Sequence, residues 1–122
     1  MFFPNIDLAR RIEASEALGA EACAVAAQRA NPAEGAAAIR IAGGCACYTG
    51  ADSPLTQVLG IGLVGPVTDE EMDRMEEFYR ERACPVAIDL CPLADITLLD
   101  IMRKRGYRLV EFTNMLVHQI GE

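Results

Sequence analysis

The chain has 122 residues, of which 52% are hydrophobic, and its formal net charge is −7 at pH 7. This length can bury one core but is too short for two ordinary domains, so we expect a single domain over residues 1–122. The negative surface repels phosphate backbones and anionic headgroups, which argues against nucleic acid and membrane as partners. No stretch approaches the roughly 20 apolar residues of a membrane span, and residues 1–11 lack the apolar run of a signal peptide. We therefore expect a soluble, cytoplasmic protein.

The spacing of the five cysteines argues against a metal site. No C-x-x-C occurs, and the close pair, Cys45 and Cys47, lies two residues apart on a predicted strand, hence on one face of it. With one histidine in the chain, a zinc site would need scattered thiols, so we expect no metal. Free thiols serving as small core residues in a reducing compartment fit better. A redox or nucleophilic role is the alternative, although no basic residue stands out to lower a thiol pKa.

The first predicted element is a helix over residues 6–30. Asn5 suits its N-cap, Asn31-Pro32 suits its end, and Gly19 marks a possible break. Its predicted apolar side consists of Leu8, Ile12, Leu18, Ala22 and Val25.

Residues 36–48 then predict a hairpin turning at Gly43-Gly44. An apolar strand follows over residues 57–64. Gly60 and Gly62 in that strand indicate either bulges, which these residues favour by themselves, or close approach of a ligand.

Thr68 caps a second predicted helix, from residue 69 to about residue 83, whose sheet-facing side chains are Met72, Met75, Phe78 and Tyr79. A buried strand over residues 85–90 follows. Because a strand, a helix and a second apolar strand require a crossover, we expect strands 57–64 and 85–90 to run parallel.

Asp95 caps a third predicted helix, and Gly106 is its C′ residue. The last run, residues 107–120, predicts a strand with a bend near Asn114.

This order, together with the closing Ile101-Met102-Arg103-Lys104-Arg105-Gly106-Tyr107, resembles the GNAT acyltransferase superfamily, whose last helix commonly reads L-Y-E-K-x-G-F. GADSPLTQVLGIGLVGPVT, CPLAD and RGYRLVEF look more particularly like the amino-terminal half of bacterial proteins built from two GNAT-like domains. The resemblance implies an α/β, or layered α+β, GNAT-like acyl-CoA N-acyltransferase fold. Its central sheet would be mixed, mostly antiparallel and flanked by helices.

The motif that holds the coenzyme in active GNAT members is missing. Those members carry R/Q-x-x-G-x-G/A between the central strand and the next helix, where backbone N–H groups wrap a pyrophosphate. Here residues 62–71 read GLVGPVTDEE, with Pro66 removing a donor and three acids opening the helix. Each close pair of like charges would cost about 3 kcal/mol. If acyl-CoA binds at all, the resemblance implies that Gly62 and Gly65 contact it.

The general acid of the family is also missing, because Met102 stands where many members have the tyrosine that protonates the coenzyme thiolate. Tyr48, Tyr79 and Tyr107 lie elsewhere and are interpreted as half-buried aromatics. His118 is interpreted as a surface residue rather than a base. Asp89 and Glu111 could organise water, but their alternation with apolar neighbours favours solvent-facing positions. The catalytic residues, if any, are therefore unknown.

We expect a GNAT-like domain that is catalytically degenerate alone and acts as a structural or substrate-shaping partner of an acetyltransferase domain. Two alternatives stay open: an active N-acetyltransferase with an atypical loop, which would use acetyl-CoA, and a small-molecule binding or regulatory module. Otherwise no cofactor is expected. The expected partner is a second copy, forming a homodimer through residues 114–120, or a second GNAT domain.

Overall fold

The computed structural model describes residues 5–113, in which four strands form one sheet with helices on both faces. No helix within that range is both long enough and apolar enough to cross a bilayer. The predicted layered α+β architecture, with helices flanking a mixed sheet, is confirmed. The elements are α1 (Ile6–Ala30), a 3₁₀ turn (Pro32–Glu34), β1 (Ala37–Ile41), β2 (Gly44–Tyr48), β3 (Gln57–Leu59), α2 (Asp69–Arg80), β4 (Ile88–Asp89) and α3 (Ile96–Lys104).

The strands lie in the order β1-β2-β3-β4. β1 pairs antiparallel with β2, and β2 with β3, so the predicted hairpin is confirmed. Its turn residues are Ala42 and Gly43 rather than the predicted Gly43-Gly44, and Gly44 already pairs with Ile41 as the first residue of β2. β3 and β4 pair parallel, with Val58 opposite Ile88 and Leu59 opposite Asp89. The predicted parallel relation of these two strands is therefore also confirmed, and α2 lies in the connection between them.

The two faces of the sheet are packed differently. Large side chains fill the side of the sheet that α2 and α3 cover. They include Met72, Met75 and Tyr79 of α2 and Leu98 of α3, all with no exposed surface. The contact between the sheet and α1 is made mostly by small side chains, namely Ala20 of α1 with Cys45 and Cys47 of β2, together with Leu59 of β3. Most of the apolar area, and with it most of the hydrophobic stabilisation, lies on the α2 and α3 side.

The helix α1 differs from its prediction in two ways. It runs unbroken through Gly19, because that glycine lies in open space among strong helix formers. The predicted apolar side is wrong in part. Leu8 and Ile12 are half-buried, but Leu18 is 61% exposed and Val25 is 45% exposed, whereas Ala20 and Ala24 are buried. Alanines let the helix approach the sheet closely, and Leu18 and Val25 point outward.

Both parallel strands are shorter than predicted. β3 ends at Leu59 because Gly60 and Gly62 adopt φ of 73° and 77°, a left-handed conformation that turns the chain out of the extended region. β4 keeps only Ile88–Asp89. The capped start of α2 at Thr68 is confirmed, but the helix ends at Arg80.

Residues 107–113 form no strand, so that part of the predicted last strand is wrong. The cap before it is confirmed: Gly106 has φ 77°, and the Tyr107 N–H donates to the Met102 carbonyl at 3.0 Å. The predicted bend near Asn114 and the predicted dimer segment, residues 114–120, lie outside the described residues.

Candidate functional site

Gly62, the first predicted coenzyme contact, is buried in the loop between β3 and α2. Its N–H donates to the Ala42 carbonyl at 3.2 Å, and its carbonyl accepts from the Asp95 N–H at 2.7 Å. A Cβ at this position would lie 3.2 Å from the Leu98 side chain and 3.3 Å from that of Ala94. The start of α3 therefore packs directly on Gly62, and both of its backbone polar groups are used inside the fold.

Gly65, the second predicted contact, lies apart from that packing. It has φ 148°, and a Cβ there would meet no heavy atom within 4 Å. Further along the loop, the Val67 N–H donates to Thr97 Oγ1 at 2.8 Å, and the Thr68 N–H donates to Glu71 Oε1 at 3.0 Å. The structure does not bring Gly62 and Gly65 into one anion-binding cradle, since several donors of this loop already have partners.

Two of the three acids in the first turn of α2, Asp69 and Glu71, have structural partners. Glu71 completes a capping box with Thr68. Asp69 belongs to what we term the Arg105 network, in which the Arg105 guanidinium contacts Asp69 and Asp73 at 2.9 and 2.8 Å and Glu76 at 2.5 Å. Because Arg105 offsets part of this negative charge, electrostatic repulsion of a coenzyme is weaker than the sequence suggests.

None of the tyrosines takes the place of the missing general acid. Met102 is half-buried against the core. Tyr79 is fully buried, contrary to its half-buried prediction, and donates to the Cys47 carbonyl at 2.8 Å. Tyr107 donates to Glu76 at 2.9 Å, while Tyr48 is half-buried, with the Arg82 guanidinium 5.9 Å from its ring centroid. Burial raises the pKa of Tyr79 and Tyr107, so neither hydroxyl is an easily released proton.

The other two predicted acid or base candidates give no site. Glu111 is exposed on a segment without a strand, in agreement with its solvent-facing interpretation. His118 lies outside the described residues.

Asp89 lies among other acidic side chains, and it is half-buried rather than fully solvent-facing. It lies opposite Leu59 at the carboxyl end of the parallel pair, on the face covered by α1. There it meets Glu13 and Glu16 of α1, and one oxygen from each of the three lies within 4.8 Å of the others. We term these three residues the carboxylate cluster. Each is half-buried, so the cluster is reachable from solvent.

The pKa values of two acids in the carboxylate cluster are raised. Burial, followed by the negative charges of Asp89 and Glu16, raises the pKa of Glu13 to about 7, although a hydrogen bond from the Gly60 backbone opposes the rise. Burial and Asp89 also raise the pKa of Glu16. Glu13 Oε2 is buried without a hydrogen-bond partner in this part of the chain. This arrangement can hold a proton near neutral pH or a positively charged ligand.

A pair of thiols lies on the same face of the sheet. Cys45 and Cys47 are buried with their sulfur atoms 3.2 Å apart, which confirms that they share a face. The hydrogen bond from Cys47 lowers the pKa of Cys45, and the same contact raises that of Cys47. Cys84 is also buried, as expected of a core thiol, but Cys23 is exposed.

No protein-family model matches the sequence, and comparisons with curated proteins and with solved structures give no match. The functional argument therefore depends on the geometry of this chain. Sequence reasoning missed the carboxylate cluster, although one signal was present: Glu13 lies on the same helical stripe as Ala17, Ala20 and Ala24, the residues at spacing 3 and 4 that face the sheet.

Proposed function

We propose that the chain is a GNAT-like acetyltransferase-family domain that does not catalyse acetyl transfer alone and serves as a structural or substrate-shaping partner of an acetyltransferase domain. The motif resemblance is supported by the element order, with an antiparallel hairpin, a third strand, a helix and a parallel fourth strand. No cofactor is assigned to this chain.

The observation that carries the proposal is the loop from Gly62 to Glu71. Its Gly62, Val67 and Thr68 N–H groups donate to protein acceptors, and Pro66 has none to offer. The α2 N-terminus is capped by its own Thr68 and Glu71 side chains. A pyrophosphate would have to break these bonds before it gained any of its own, which costs about 1 kcal/mol or more for each donor.

Calorimetric titration with acetyl-CoA tests this proposal and separates charge from geometry. We expect no saturable binding below about 1 mM, the weak end of specific affinity. Glu70 is exposed at the start of α2, so Glu70→Arg reverses one charge there, and Glu70→Gln is its neutral control. Both variants should remain without binding if geometry is the obstacle. A micromolar constant for the unmodified chain would overturn the proposal and favour the active acetyltransferase using Gly62 and Gly65.

The partner is proposed to be a second copy of this chain or a second GNAT domain. The segment after α3 supports this proposal because it exposes large apolar side chains that a partner would cover. Leu109 is 69% exposed, Val110 is 90% exposed and Phe112 is 86% exposed. A specific interface should bury on the order of 1,200 Å² in total. Light scattering at tens of micromolar should give a dimer mass that falls to the monomer for Phe112→Lys. A monomer mass in the unmodified chain would remove the homodimer.

A binding module on the same scaffold is the second candidate function, and the carboxylate cluster favours it. Within residues 5–113, Glu13, Glu16 and Asp89 form no ion pair with a basic side chain. Three carboxylates without such a partner lie at the carboxyl ends of two parallel strands, where ligands commonly bind in sheets of this kind.

A further inference from the structure

The carboxylate cluster, Glu13, Glu16 and Asp89, needs positive charge that residues 5–113 do not supply through an ion pair. Three half-buried carboxylates whose oxygens lie within 4.8 Å repel one another and are poorly hydrated. Such a group must take up a proton or a cation.

A second observation concerns the Glu13 carboxylate itself. Its Oε2 atom has less than 1 Å² of accessible surface and no hydrogen-bond partner in the described part of the chain. A carboxylate oxygen buried in this way costs free energy unless a ligand satisfies it. The backbone of α1 lies close to Gly60 at this point, since a Cβ on Gly60 would lie 3.4 Å from the Glu13 carbonyl oxygen.

We propose that the carboxylate cluster binds one hard divalent cation such as Ca²⁺. This inference rests on the second candidate function, the binding module. Oxygen ligands of Ca²⁺ lie about 2.3 to 2.6 Å from the ion, so two of them can be up to about 5 Å apart. The carboxylate oxygens of the cluster, which lie within 4.8 Å of one another, are therefore close enough to share one such ion. Water completes the coordination, because all three residues are partly open to solvent.

A cation here would tie two elements that otherwise touch little. Glu13 and Glu16 are one turn apart on α1, and Asp89 ends the two-residue edge strand β4. The helix rests on the other strands mainly through alanines such as Ala17 and Ala20. Bound cation would therefore hold the amino-terminal half of α1 against β4.

Calorimetric titration of the full chain with CaCl₂ at pH 7.5, after treatment with EDTA, tests the site. We expect one site with a dissociation constant on the order of 10⁻⁴ M, in the weak range for calcium modules. Glu13→Gln and Asp89→Asn should each weaken binding by about tenfold or more. Glu70→Gln removes the same charge at an exposed position of α2 and should leave binding unchanged. Circular dichroism verifies that each variant is folded.

Substitution of Mn²⁺ locates the ion independently of these variants. Its paramagnetism should broaden the amide NMR signals of Gly60 and Asp89 first, since these lie at the cluster. The proposal is overturned by the absence of saturable binding up to about 10 mM, a hundred times the expected constant. It is equally overturned if Glu70→Gln loses as much affinity as Glu13→Gln, because binding would then reflect net charge alone. Neither result depends on the acetyl-CoA titration.

Discussion

Two acidic groups in this molecule are alike in composition and opposite in environment. In the Arg105 network, Asp69, Asp73 and Glu76 of α2 share one guanidinium from the end of α3. Those contacts raise the pKa of Arg105 above its ordinary value. The carboxylate cluster also joins three acids, but no arginine or lysine pairs with them among residues 5–113, and the pKa of Glu13 rises to about 7.

The difference shows what a local cation does to the role of an acidic group. Arg105 makes the first group an ion-pair network that joins α2 to the end of α3, and Tyr107 adds a hydrogen bond to Glu76. The second group has no basic partner among residues 5–113 and stays able to bind a proton or a cation. A negative helix terminus is therefore weak evidence of function, whereas an uncompensated, half-buried group is stronger evidence.

The largest expected effect on stability comes from removing the Arg105 guanidinium from its network. Arg105→Met should lower the free energy of unfolding by about 1 to 2 kcal/mol, because a partly exposed network loses its shared donor and three acids are left to repel. Arg105→Lys keeps the charge without the planar fork and should fall in between. Urea denaturation at pH 7 measures both. A decrease in the free energy of unfolding below about 0.3 kcal/mol for Arg105→Met would contradict a stabilising role of the Arg105 network.

The uncompensated group should make stability fall as pH rises. The folded-state pKa of Glu13, about 7, lies above its ordinary 4.5, so its stabilising contribution is complete below pH 4.5 and is lost as pH rises through 7. We expect a decrease on the order of 1 kcal/mol between pH 5 and pH 8 in EDTA, allowing for solvent screening.

Urea denaturation at the two pH values measures this change, and Glu13→Gln should remove most of it. A free energy of unfolding that stays level or rises toward pH 8 in the unmodified chain would show that folding does not raise the pKa of Glu13.

A smaller effect is expected when the cluster is given a cation of its own. Glu16→Lys places an ammonium one turn from Glu13 and should stabilise the chain at pH 8 by about 0.5 kcal/mol. It should also lower the pKa of Glu13, which carbon NMR of the side-chain carboxyl can follow. An unchanged titration of Glu13 would mean that burial alone, and not its acidic neighbours, sets that pKa.

Local patterns predicted much of this fold. The capping box of α2, the stripe of Met72, Met75, Phe78 and Tyr79, the hairpin of β1 and β2 and the cap at Gly106 all depend on residues within one turn or loop, and the structure confirms them. The parallel pairing of β3 with β4 was predicted because a crossover helix lies between them.

Features that depend on distant contacts were mostly missed. The buried side of α1 differs from its prediction because the close approach of helix to sheet selects Ala20 and Ala24 over the larger Leu18. The cluster joins residues 13 and 89, and no local pattern relates them. The end of β3 at Leu59 depends on left-handed glycines that the sequence allows but does not require.

The central claim, that the coenzyme machinery is lost, is tested most directly by amide NMR of the labelled chain with acetyl-CoA added to about 1 mM, the weak limit of specific binding. The account predicts no saturable shifts at Gly62, Val67 and Thr68, because their N–H groups keep their protein acceptors. Saturable shifts at these amides, together with loss of the hydrogen bond from Val67 to Thr97, would contradict it and show that the loop opens to hold the coenzyme.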